Sequence, residues 1–427
     1  MSYFPKRGNE GYRVLHYDLA LDYRVVTNRL SGTAVLSAVA TAPLDRFELD
    51  LGLFRVGQVL VNGTRARFAH RDDKLRVTPG GWLAEGRPFS VEVRYAGNPR
   101  PVPSPWGELG WDQLTDGVIV ASQPIGASSW FPCNDRPAEK ATYRIAVTAA
   151  SPYQVVANGT RMSAIRGASA TTWVYEQAEP MAPYLASVQI GRYASADLEG
   201  EVPQRVYYPP RLATRIRQDF GRQDRMMATF TDRFGPYPFG GYTVVVTDDV
   251  LEIPVEAQGM SIFGANHVDG RRGSERLVAH ELAHQWFGNS LTLGHWRDIW
   301  LHEGFAAYAE WLWSEASGGD PAAVHARRWH RRLATAPQDF VLADPGARRL
   351  FDDRVYKRGA LTLHALRTAL GDVPFFSMLR EWTSAHRHGI VNTGMFTDLA
   401  RHFTPEPLDG LFAAWLYTAK LPAFPGA

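Results

Sequence analysis

One cysteine, Cys133, stands in 427 residues. No disulfide framework forms within such a chain, and a cysteine-rich zinc site is excluded with it. Neither sign of charge is in excess: 46 basic and 44 acidic residues leave a formal net charge of +2. No global field therefore argues for nucleic acid or an anionic membrane. Lysine is scarce, limited to Lys6, Lys74, Lys140, Lys357 and Lys420, with arginine supplying the other basic positions. That skew fits GC-rich coding better than a mechanism. The N-terminal "MSYFPKRGNEGYRVLHYDL" has no apolar core of a signal peptide. No run approaches the length that spans a bilayer. The expectation is a cytoplasmic protein without membrane association. Asn62-Gly63-Thr64 and Asn158-Gly159-Thr160 match a glycosylation acceptor, but without a secretory leader each reads as a hairpin turn.

The length allows two or three domains. The first two hundred residues read as β. "HYDLALDYRVV" and "LSGTAVLSAVATA" alternate around a turn, and prolines and glycines recur at short intervals. The character changes at "YYPPRLATRIRQDFGRQDRMMATFTDRFG", where a Pro-Pro breaker precedes helical periodicity. From Ser274 onward helical patterns dominate. The expected organisation is α+β, with a sheet-rich domain of sandwich or saddle shape over 1–200 and a mainly helical domain over 201–427. The basic run "HARRWHRRL" reads as a solvated helix face rather than a nucleic-acid patch.

The densest chemistry lies in "HELAHQWFGNSLTLGHWRDIWLHEGFAAYAEW", His280 to Trp311. His280 and His284 are four apart, which stacks both imidazoles on one helix face, close enough to share an ion. Leu277, Val278, Leu282, Ala283, Trp286 and Phe287 form a broad apolar stripe, and Gly288-Asn289 is the expected stop. Glu281 would lie beside a metal rather than on it, where a general base belongs. A core helix whose histidines pair with carboxylates would show the same five residues, so a third ligand matters. Downstream candidates are His295, Asp298, His302 and Glu303. A metzincin needs Gly and His where this chain has Phe287 and Ser290. Glu303 opens the next helical run and would project from a second helix, while His302 would point about 100° away from it. The precedent of two histidines and a glutamate favours Glu303.

"HELAHQWFGN", eighteen residues, then "WLHEGFA" resembles the gluzincin aminopeptidases, the family of aminopeptidase N and leukotriene hydrolase. His302 stands where that family has Asn. "VLHYDLALDY" and "LSGTAVL" are similar to the start of the family's β-domain, and "FGPYPFGGY" to the entry of its catalytic domain. "SQPIGASSWFPCNDRP" resembles its Phe-Pro-Cys-x-Asp segment, with Arg136 where Glu is usual. The resemblance implies an N-terminal β-domain followed by a thermolysin-like zinc peptidase domain. It also implies one zinc per chain and peptide substrates with a free N-terminus.

The same resemblance assigns further residues. The family's Gly-x-Met-Glu-Asn signature falls on "IPVEA", where only Glu256 survives. It would hold the substrate's α-ammonium, a cation that needs a carboxylate once taken from water. Pro254 removes a backbone donor and Ala257 an amide side chain. Gln123 falls at a second amine-binding position, offering an uncharged acceptor. Tyr356, in "VYKRGALTLHALR", would donate to the oxyanion, with Arg358 in place of the family's Lys. Glu310, two turns beyond Glu303 on the same face, is placed to brace a ligand histidine. Thermolysin itself uses an Asp where this chain has Ala307, which argues against a plain thermolysin relative. The sequence stops at "FAAWLYTAKLPAFPGA", so a short member without the large C-terminal helical domain is expected.

The expected function is thus a zinc-dependent, monomeric aminopeptidase. The alternatives are a zinc endopeptidase that has lost its N-terminal anchor and a catalytically silent scaffold on the same fold.

Overall fold

In the strand Tyr12–Arg24, buried tyrosines, leucines and Val14 alternate with more exposed residues, but the alternation slips by one place between Val14 and Tyr17. The slip is a bulge against the strand Arg29–Ala40, whose register shifts between Val14 and His16. One extra residue returns the apolar set to the inner face. The computed structural model describes residues 2–424. In it, Tyr12–Arg24 lies near the middle of an eight-stranded sheet. It pairs antiparallel with Arg29–Ala40 and parallel with Ala141–Ala150. A five-stranded sheet, with Gly117–Ala121 at its centre, faces it. Rings from the two sheets meet in the core, Tyr23 edge-on to Trp111 at 4.9 Å. The N-terminal part is therefore the expected β-sandwich.

The two Asn-Gly pairs behave differently. Asn62 and Gly63 have φ of 51° and 74° and join the paired strands Arg55–Val61 and Thr64–Arg65, as a type I′ hairpin requires. Asn158-Gly159 is not a hairpin turn, contrary to the sequence expectation. The strand before it, Gln154–Ala157, belongs to the five-stranded sheet, and the strand after it, Thr160–Arg166, to the eight-stranded one. The chain changes sheet here. Buried Asn158 donates to the carbonyls of Leu185 and Gln258 and accepts from Ser187 N–H. A Cβ on Gly159 would fall 2.1 Å from the Glu176 carbonyl oxygen. Glycine is required by close backbone approach as well as by φ.

A third, mixed sheet runs Ala194–Leu198, Gln204–Tyr208, Tyr242–Val246, Met260–Phe263, Val255–Ala257. Residue 200 lies in the loop of its first hairpin. The helices are α1 (Ala213–Asp219), α2 (Gln223–Phe234), α3 (Glu275–Ala283), α4 (Trp300–Ala316), α5 (Ala322–Ala334), α6 (Asp353–Leu370), α7 (Asp372–Ala385), α8 (Thr393–Arg401) and α9 (Asp409–Leu416). None of the described helices is long and apolar enough to cross a membrane. Every residue of α4 from Trp300 to Trp313 is buried, the mark of a helix enclosed on all faces. Helices α3 and α6 pack on it.

The α4–α6 contact is a pair of glycines. A Cβ on Gly359 would lie 2.6 Å from Gly304 Cα, backbone against backbone. In an open helix Gly→Ala gains about 1 kcal/mol. Here the overpacking penalty of about 1–3 kcal/mol opposes that gain. We expect Gly359→Ala to lower the urea midpoint and to reduce turnover, because Tyr356 sits one turn away. A raised midpoint with full activity would show that the two helices have room to spare.

Candidate active site

Helix α3 ends at Ala283, and His284 is its C-cap. The backbone nevertheless stays coiled to Gly288, with Phe287 N–H bonded to the Ala283 carbonyl and Asn289 N–H to that of His284. Both histidines thus share one face, as their spacing requires. Their Nε2 atoms each lie 3.4 Å from Oε2 of Glu303 at the start of α4. An ion with tetrahedral bonds of about 2.0–2.1 Å has ligand–ligand edges of about 3.3–3.4 Å.

The other ring nitrogens are committed. Nδ1 of His284 donates to the Phe287 carbonyl at 3.0 Å. Nδ1 of His280 bonds Oε1 of Glu310 at 2.8 Å. A carbonyl only accepts, so Nδ1 of His284 carries a proton and Nε2 is the nitrogen left to face an ion. Two neutral imidazoles and one carboxylate make a donor set that fits zinc. His302, the rejected rival, is buried and faces away, accepting from Leu293 N–H through Nε2 at 3.2 Å. Burial holds its ring neutral, with a pKa pulled down to about 3.

Three further groups converge on this set. Oxygen atoms of Glu256 and Glu281 and a nitrogen of His284 lie within 4.8 Å of one another. Oε2 of Glu281 is buried with no hydrogen-bond partner among the described residues. Burial, aided by Glu256 and Glu303 and opposed by both histidines, pushes its carboxyl up to about 7. Burial also raises Glu256, which lies on the edge strand Val255–Ala257. The Tyr356 ring stacks on His280 at 5.8 Å, and burial, then Glu303, Glu256 and Glu281, raise its hydroxyl. Gln123 follows the strand Gly117–Ala121, which packs beside the Glu256 strand. Its Nε2 is buried without a partner among the described residues, and it hydrogen-bonds none of the other six residues.

Sequence reasoning missed the residues that hold Glu256 in place. Gln285 accepts from Gly259 N–H at 2.8 Å and donates to the Ala257 and Met260 carbonyls. Asn289 donates to the Ala257 carbonyl at 2.9 Å. Together they tie the Glu256 hairpin to the histidine segment. The signal was available as two amides in an otherwise apolar stretch. Lys140, from the β-sandwich, is half-buried and donates to the carbonyls of Asn289 and Ser290 at 3.1 and 2.8 Å. "FGPYPFGGY" closes on the same segment, where Trp286 Nε1 donates to the Gly235 carbonyl at 3.0 Å.

Two family descriptions match the chain: the Peptidase family M1 domain over residues 219–415 and the Peptidase M1 N-terminal domain over residues 113–185. Human endoplasmic reticulum aminopeptidase 1 is 25% identical, over 88% of this chain and 44% of its own length. Leucine aminopeptidase 2 of Saccharomyces cerevisiae is 25% identical, over 97% of this chain and 65% of its own length. The chain thus spans under two thirds of these relatives. The crystal structure of an M1 zinc metallopeptidase from Deinococcus radiodurans is matched nearly end to end. It covers 99% of this chain and 98% of its own, at 31% identity and a TM-score of 0.90. A mutant of that enzyme has been solved with a Tyr-Ser-Ala substrate, at 30% identity and a TM-score of 0.88 over 100% of this chain and 99% of that one.

Proposed function

Because the chain belongs to the peptidase M1 family of zinc metallopeptidases, we propose that it is an aminopeptidase that removes N-terminal residues from peptides. The observation that carries this reading is Glu256. It is a buried carboxylate beside Glu281 and His284, and neither the metal nor the base needs it. Burial disfavours its charge, and a substrate ammonium would restore it.

Zinc held by His280, His284 and Glu303 would bring a water's pKa towards neutrality and polarise the scissile carbonyl. Glu281 takes the attacking water's proton and returns it to the leaving amine; a carboxyl near neutrality suits both transfers. Tyr356 donates its hydroxyl to the developing oxyanion. Glu256 pairs with the α-ammonium, and Gln123 adds an uncharged acceptor. A short peptide such as Tyr-Ser-Ala is the class of substrate we propose. A division near residue 200, a monomeric state and a cytoplasmic location belong to the same reading.

The test is a panel of free aminoacyl chromogenic substrates, with and without a chelator. Hydrolysis should vanish with the chelator and return with zinc. A zinc-loaded protein that cleaves nothing would favour a silent scaffold. A finer expectation concerns Tyr356→Phe, which deletes one hydroxyl and almost no volume. Turnover should fall roughly 10²–10³-fold with a much smaller change in KM, because the contact forms mainly in the transition state. A rise in KM alone would make Tyr356 a ground-state binding residue.

A further inference from the structure

Glu310 is 5% exposed and carries no direct role in the chemistry, yet an imidazole and two cations surround it. Its Oε1 accepts from His280 Nδ1 at 2.8 Å. Its Oε2 accepts from Arg276 Nη1 at 3.0 Å. The Lys357 ammonium lies 3.6 Å from Oε1. The same ammonium sits over the Trp329 ring, 5.1 Å from its centroid. Glu310 is the only carboxylate with which Lys357 pairs among the described residues.

The two outer cations differ in environment. The Arg276 side chain is 58% exposed, so water screens its attraction. The Lys357 side chain is 6% exposed, so its field acts through a low dielectric. Lys357 also follows Tyr356 directly near the start of α6. One ammonium therefore connects the helix carrying Tyr356 to the carboxylate that orients His280.

We propose that Lys357 is a positioning residue of the metal centre, holding the Glu310 carboxylate in place so that His280 presents Nε2 to zinc. This rests on the reading of His280 as a ligand. Lys357 touches neither substrate nor metal and acts only through Glu310. Without it, the carboxylate keeps one buried partner and one solvated one, and it is free to turn towards Arg276. Outer-shell partners of ligand histidines are worth about 10–100-fold in metal affinity.

The test is zinc affinity, measured by chelator competition on the full chain, in a double-mutant cycle. Lys357→Met keeps the stem against Trp329 and removes the charge. It should weaken zinc binding tenfold or more. In a Glu310→Gln background the same substitution should change affinity less than twofold, because its route is already cut. Lys357→Gln, which also removes the charge, replaces the methionine variant if that one does not fold, with the same tenfold expectation. A change under tenfold in the wild-type background, or an equal loss in both backgrounds, overturns the proposal. His280→Ala run alongside separates the two levels. Zinc retained in His280→Ala would overturn the ligand reading itself, whereas zinc lost there beside unaltered affinity in Lys357→Met overturns only the role of Lys357.

Discussion

Glu281→Gln should give a folded, zinc-loaded protein whose turnover has fallen by at least about 10²–10⁴-fold. The amide matches the carboxylate in shape, and Glu281 is not in the His280, His284, Glu303 set, so metal content should stay at one zinc per chain. What is lost is the ability to take a proton. Oε2 of Glu281 has no partner among the described residues, so no structural hydrogen bond is broken there by the change. The loss should fall mainly on kcat, since the proton moves in the transition state. Near-normal turnover in a zinc-loaded Glu281→Gln protein would remove Glu281 from the mechanism.

Glu303→Ala should abolish activity by a different route, through loss of the metal. Its Oε2 is equidistant from the two histidine nitrogens. Deleting it leaves two neutral imidazoles, one short of the three protein ligands that a catalytic zinc site normally has. Metal analysis of the purified variant should show zinc well below one per chain, and His302→Ala should keep it, because His302 Nε2 is taken by Leu293 N–H. If Glu303→Ala held full zinc while His302→Ala lost it, the third ligand would be misassigned.

The two histidines and Glu281 were legible because helix geometry is local: spacing on one turn fixes which side chains share a face; Glu303, on the next helix, rested on the precedent of two histidines and a glutamate. Glu256 was legible only through resemblance. Its approach to His284 depends on Gln285 and Asn289 clamping a hairpin far from it in sequence, and no periodicity reports that. Asn158-Gly159 was misread for a related reason. The dipeptide signals a backbone that needs glycine, and it does not say which sheet the next strand joins. Lys357 adjoins Tyr356 in the sequence, but its partner lies on α4 and became visible only once α4 and α6 met at Gly304 and Gly359. The alternation of the N-terminal strands announced a sandwich, because a half-buried strand must alternate wherever it pairs.

The central claim is that Glu256 binds a charged N-terminus and so restricts cleavage to the first peptide bond. The most direct measurement compares kcat/KM for one tripeptide with a free N-terminus and for the same tripeptide N-acetylated. Acetylation removes the ammonium, adds bulk where the chain must end, and leaves a buried carboxylate unpaired. The account predicts cleavage of the free peptide at its first bond and none of the acetylated one, with Glu256→Ala losing most of the activity and Gln123→Ala less. Comparable cleavage of both peptides, with internal bonds cut, would contradict it and make the protein an endopeptidase.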